Sequence, residues 1–81
     1  MPVYSLYDAS LNGTVDLPAP EGEWVALHCS GSVTVSLEQA AAGFVTLKTV
    51  AAPGERILCS GPRIRLVTAT ATNVRLIREK P

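Results

Sequence analysis

Pro62-Arg63-Ile64-Arg65-Leu66-Val67-Thr68-Ala69-Thr70-Ala71-Thr72-Asn73-Val74-Arg75-Leu76-Ile77-Arg78 is the stretch whose reading decides the fold of this chain. Branched aliphatics alternate with arginine and threonine through both of its halves, which is the two-residue period of a β-strand with one dry face. The small residues Ala69-Thr70-Ala71-Thr72 between the halves read as a turn, so a hairpin is expected. A two-residue turn at Ala71-Thr72 would set Arg65 against Arg78 and mix apolar residues over both faces. A three-residue loop at Thr70-Ala71-Thr72 instead sets Leu66 against Leu76, Arg63 against Glu79 and Val67 against Arg75. That register gathers Ile64, Leu66, Val74 and Leu76 on one side. The other side then carries Arg63, Arg65 and Arg75 interleaved with Val67 and Ile77. Arginine mixed with branched aliphatics on an outward face suits a protein interface. A wet sheet face on which arginine stems cover the aliphatics is the alternative.

The rest of the chain has the same strand chemistry, interrupted by turn residues about every ten positions. Eight strands are expected, near residues 3–7, 14–17, 24–28, 33–38, 44–50, 56–59, 63–68 and 73–79. The clearest is Val33-Thr34-Val35-Ser36-Leu37-Glu38, with Val33, Val35 and Leu37 on one face. Asn12-Gly13 carries the strongest hairpin signal, because a type I′ turn needs positive φ at both central residues. Leu37 to Ala42 predicts a loop or a single helical turn, cut off by Gly43.

A repeat organises these strands. Ala19-Pro20-Glu21-Gly22-Glu23 precedes a strand ending in Cys29-Ser30-Gly31, and Ala52-Pro53-Gly54-Glu55 precedes one ending in Cys59-Ser60-Gly61. Each CSG triplet is followed by a second and a third strand. The chain therefore reads as one domain, residues 1–81, made of an N-terminal hairpin (1–18) and two repeat-like units (19–50 and 52–79). Two such units hide their apolar faces by packing together, so the expected fold is all-β: an antiparallel β-sandwich of about eight short strands, with jelly-roll connectivity one possible route.

Composition narrows the function classes. The 81 residues are 47% hydrophobic and 17% charged, fewer charges than the ~25% common in soluble domains, as expected of a surface that other subunits cover. No apolar run approaches the ~20 residues of a membrane span, and no basic-then-apolar leader opens the chain, so synthesis in the cytoplasm and no membrane partner are expected. The net charge is zero, but residues 1–40 hold five acids and no lysine or arginine, while residues 41–81 hold seven bases and two acids. Either the halves neutralise each other within one fold, or acidic and basic patches meet across a subunit interface.

Candidate chemistry is sparse. Two cysteines and one histidine offer at most three soft ligands, and adjacent His28 and Cys29 point to opposite faces of a strand, so no metal site or other cofactor is expected. The same geometry works against a Cys–His nucleophile, and no phosphate-cradling glycine loop opens a helix, so the chain reads as non-enzymatic. A Cys29–Cys59 disulfide is geometrically conceivable, but two buried thiols at the corners of the repeat units are the preferred reading. Tyr4, Tyr7, Trp24 and Phe44 are not interleaved with the arginines as a base-stacking platform requires, so no nucleic-acid partner is expected.

Laid end to end, Val33 to Glu38, Gly43-Phe44-Val45-Thr46-Leu47-Lys48-Thr49-Val50, Pro53-Gly54, Pro62 to Ala69 and Asn73-Val74-Arg75-Leu76 resemble the small all-β structural proteins of tailed-bacteriophage virions, especially capsid decoration or cement proteins. The resemblance implies a structural subunit that binds the shell surface and stabilises it. Its partners would be the major capsid protein or other virion proteins. It would form a homo-oligomer, with a trimer favoured, and reside in the virion. The interface residues expected from position are Trp24, Arg63, Arg65, Val67, Arg75 and Ile77. A ligand- or glycan-binding β-sandwich module, or a head-tail or tail accessory subunit, is the alternative.

Overall fold

The computed structural model describes residues 4–39 and 42–78, all strand and connection, with no helix among them. In chain order the strands are β1 (Tyr4–Pro18), β2 (Trp24–Cys29), β3 (Val33–Gln39), β4 (Gly43–Val50), β5 (Gly54–Leu58) and β6 (Arg63–Arg78). Six strands stand where eight were expected, because two expected hairpins do not form. Residues 4–18 run as one strand through Asn12-Gly13, and residues 63–78 run as one strand through Ala69-Thr70-Ala71-Thr72.

The failure at Ala69–Thr72 has a local cause. A tight hairpin turn needs residues that tolerate positive φ, and this segment has neither Gly nor Asn. The chain bulges instead: Leu11 opposes Thr72 and Gly13 opposes Thr68, so three residues of β6 face the single Asn12. Gly13, at φ 122°, supplies the matching kink in β1. Thr68 stitches the paired bends together. Its Oγ1 accepts from the Gly13 N–H at 3.2 Å and donates to the Leu11 carbonyl at 2.8 Å. The expected pairings of Leu66 with Leu76 and Val67 with Arg75 are replaced by long-range ones, Leu66 with Val15 and Arg75 with Asp8. The expected Arg63–Glu79 pair lies partly outside the described residues.

Because β1 and β6 bend together, they form a long antiparallel ribbon with two differently oriented halves. On its other edge, the first half of β6 pairs with β3 (Leu37 opposite Ile64) and the second half with β2 (Cys29 opposite Val74). β3 pairs onward with β4, and β2 with β5. The result is one antiparallel sheet of order β4-β3-β6-β2-β5, with β1 along the remaining edge of β6, curled into a half-barrel. It is continuous through the bent ribbon, in place of two separate sheets.

The concave side is the core. Val25, Leu27, Val33, Val35, Ile57, Ile64, Leu66, Val74 and Leu76 are buried in a single cluster with both cysteines. The face assignment expected for Ile64, Leu66, Val74 and Leu76 therefore holds, although the register that suggested it does not. Cys29 and Cys59 are both buried and unlinked. The strand beginning at Val33 runs to Gln39, in place of a helical turn from Leu37; residues 40 and 41 lie outside the described part.

The two CSG corners and the two Pro-containing turns interlock. Gly22 donates to the Cys59 carbonyl at 2.7 Å and Cys59 to the Glu23 carbonyl at 3.0 Å, while Cys29 donates to the Pro53 carbonyl at 3.0 Å. Each corner thus caps the turn that opens the other unit. After its corner the first unit folds back as the β3–β4 hairpin, whereas the second runs straight on as β6.

Candidate interaction surface

The convex face carries the side chains that alternate with the core, and ion pairs between neighbouring strands cross it. Arg65, opposite Asp16 in the ladder, grips that carboxylate with two bonds of 2.7 and 3.0 Å and lies over the Phe44 ring at 3.9 Å. Arg75 faces Asp8 at 3.8 Å, and Arg63 reaches Glu38 at 3.9 Å. Arg78 makes a second two-bond clamp, on Glu23, at 2.9 and 2.7 Å. Four carboxylates of the acidic N-terminal half are therefore met by four arginines of the basic C-terminal half inside one chain, which is the side-by-side explanation of the charge asymmetry. The Arg65 bond holds the Asp16 carboxyl below its ordinary pKa and raises that of the guanidinium.

The bend in β6 divides the expected interface residues into two groups. Arg63, Arg65 and Val67 lie on the first half, where Arg63 and Arg65 are engaged with Glu38 and Asp16. Ile77 and Arg75 lie on the second half. Trp24 lies on the adjoining β2, whose Ala26 is the cross-strand neighbour of Ile77. Trp24 is 44% exposed, on the outer face. The Arg56 guanidinium sits 4.7 Å from its ring centroid, and Leu58, 45% exposed, is its cross-strand partner on β5. Trp24, Leu58 and Ile77, bordered by Arg56 and Arg75, make one apolar-aromatic patch with cationic edges.

Leu58 and Arg56 did not stand out in the sequence. β5 is only five residues long, and its alternation acquires meaning only once Trp24 is known to lie beside it. Leu47 and Val45 of β4 are likewise exposed large apolar residues with no sequence-level signal. Leu47 is the extra residue of a bulge between Lys48, opposite Val35, and Thr46, opposite Ser36.

The outer face also bears a shallow cleft of about 460 Å³ where Asp8, Arg75 and His28 form a row across β1, β6 and β2. His28 faces solvent and Cys29 the core, so the two cannot grip one ion from this strand. Burial raises both thiol pKa values: Cys59 to about 11, with the Glu23 carboxylate adding to the effect, while at Cys29 a backbone hydrogen bond from Gly31 opposes the rise. Among the described residues no group of three or more histidines, cysteines or acids is placed to hold a metal. No protein family, curated protein or solved structure matches this chain.

Proposed function

We propose that the chain is a non-enzymatic structural subunit of a phage virion, a capsid decoration protein that binds neighbouring shell subunits and stabilises the shell by bridging them. The observation that carries this reading is the patch of exposed Trp24 and Leu58 with half-buried Ile77 and its arginine border, since an aromatic anchor beside aliphatics and arginine is the composition of an interface hot spot. Both halves of the outer face carry ion pairs, but the exposed Trp24 and Leu58 lie only beside the second half, which moves the proposed anchor from Arg63 and Arg65 toward Trp24, Arg75 and Ile77. A small domain of this kind gains stability from its neighbours by mass action, and a homotrimer on the shell would supply them. The virion setting itself comes from the sequence resemblance.

The test is native mass, measured for the purified chain alone and mixed with candidate shell particles. Particle binding that Trp24→Ala abolishes, with the circular dichroism spectrum unchanged, supports the reading. Particle binding indifferent to Trp24, or glycan-array binding by the isolated chain through that face, would overturn it.

A further inference from the structure

Among the described residues, β1, β4 and β5 each pair on one side only. The β1 edge has the features that discourage pairing: register breaks at Leu6 and Asn12, two aspartates and a terminal proline. β4 has one such break, the bulge at Leu47, but it and β5 face each other across the mouth of the half-barrel. They are not hydrogen-bonded to one another, and the side-chain ion pair of Lys48 with Glu55 spans the mouth. Beside that pair lies a groove of about 510 Å³ where Leu37 and Ile57 of the core side meet exposed Leu47 of β4 and the outer-face residues Leu58 and Trp24. At Ser60 it meets a second cleft of about 520 Å³ that contains Glu21 and Glu38.

We propose that this mouth is a strand-acceptor site, filled by one extended segment of a partner protein that pairs with β4 and β5 at once and completes the barrel. The segment would be apolar at alternate positions and basic at the end nearest Glu21. Three features specify that occupant. Two facing edges with free backbone groups call for a strand, which bonds on both sides at a spacing of about 4.8 Å. The lining calls for alternate apolar side chains pointing inward. The charge follows from Glu21, which has no ion-pair partner among the described residues and sits beside Glu38, held by Arg63 only at 3.9 Å. β4 and β5 run antiparallel to each other across the mouth, so the inserted strand is antiparallel to one and parallel to the other. The longer β4 edge takes the antiparallel pairing, the stronger of the two. This inference does not depend on the virion setting.

The experiment appends the probe to the intact chain. A strand of alternating valine and threonine ending in arginine, as long as β4, is fused after Pro81 through a flexible Gly/Ser linker, giving an effective concentration on the order of millimolar. The expected result is amide-exchange protection of β4 and β5 rising by about tenfold or more, with a higher Tm. A proline at the centre of the probe, or Leu47→Glu in the chain, should remove the gain. Glu21→Gln should reduce it for the arginine-ended probe and leave a glutamine-ended probe unaffected. Unchanged protection of both edges at that effective concentration overturns the proposal. So does a dimeric native mass for the unfused chain with both edges already protected, since a second copy would then fill the mouth.

Discussion

The two CSG triplets are identical in sequence, yet their glycines should respond oppositely to the same change. Gly61 packs on the backbone of β3: a Cβ placed there would lie 1.7 Å from the Glu38 carbonyl oxygen and 2.9 Å from its carbon. Contacts under 3.0 Å are not tolerated, so the two segments must part by about 1.3 Å, the difference between 3.0 and 1.7. Backbone cannot swing aside as a flexible side chain can. The displacement would strain two bonds that anchor the corner, Gln39 to Ser60 at 3.2 Å and Ala19 to the Pro62 carbonyl at 2.9 Å. With roughly 1 kcal/mol for each bond and 1–3 kcal/mol of overpacking strain, Gly61→Ala should cost about 3 kcal/mol or more. A domain of this size has only roughly 4–12 kcal/mol to lose. Gly31 is the internal control. Its added Cβ would meet Thr72 at 3.6 Å, ordinary contact, and its backbone does not occupy the positive-φ region. Gly31→Ala should therefore stay within about 0.5 kcal/mol of the parent, or stabilise slightly by restricting the unfolded chain. Urea unfolding followed by far-ultraviolet circular dichroism gives both values. If the two variants fell within about 0.5 kcal/mol of each other, the close packing of the second corner on β3 would be wrong.

Three further outcomes are expected. Thr68→Val should cost about 1–3 kcal/mol, because it strands the Gly13 N–H and the Leu11 carbonyl at a buried bend, whereas Thr70→Val on the exposed bulge should be near neutral; equal urea midpoints would contradict the stitching role. Asp16 has a depressed pKa in the folded chain, so its contribution is present above the unfolded carboxylate value of about 3.9 and lost as pH falls through the folded one. Asp16→Asn should accordingly flatten the decline of stability below roughly pH 4, and an unaltered acid limb would show that the Arg65 pair contributes nothing. Cys59, pushed up to about 11, is roughly one-thousandth thiolate at pH 8, so its labelling by a thiol reagent should wait on unfolding and lag behind Cys29. Rapid, equal labelling of both thiols in native buffer would refute their burial.

Alternation in the sequence was enough to sort side chains by face, since period-two patterning survives any choice of partner. Ile64, Leu66, Val74 and Leu76 went to the core and Arg63, Arg65 and Arg75 to the outside, as the pattern required. Partners were less legible. Asn12-Gly13 satisfies a hairpin turn locally, but the same glycine can serve a bulge, and the choice rests on whether residues 14–18 find a better mate than residues 4–11. They do, in residues 63–67, some fifty positions away. The Asp16–Arg65 and Asp8–Arg75 pairs were hidden for the same reason, because charge asymmetry between halves of a chain shows its purpose only once the ladder is known. The patch around Trp24 was half legible: the tryptophan stood out, while Leu58 and Arg56 gained their role from β5 lying alongside.

The place of β6 in the sheet has a consequence for how the chain is made. β1, β2 and β3 all pair with it, yet it is the last of the six strands to be synthesised. Before it emerges, the growing chain can form the β3–β4 hairpin and dock β5 on β2, but β1 has no mate and the apolar faces have no common floor. The bend cannot set until Thr68 meets Gly13, and the far end cannot close until Arg78 reaches Tyr4, a separation that makes acquisition of the fold slow and late. During translation the protein is therefore a set of unsatisfied edges awaiting one strand, and this interval is when it is most exposed to aggregation with other nascent copies.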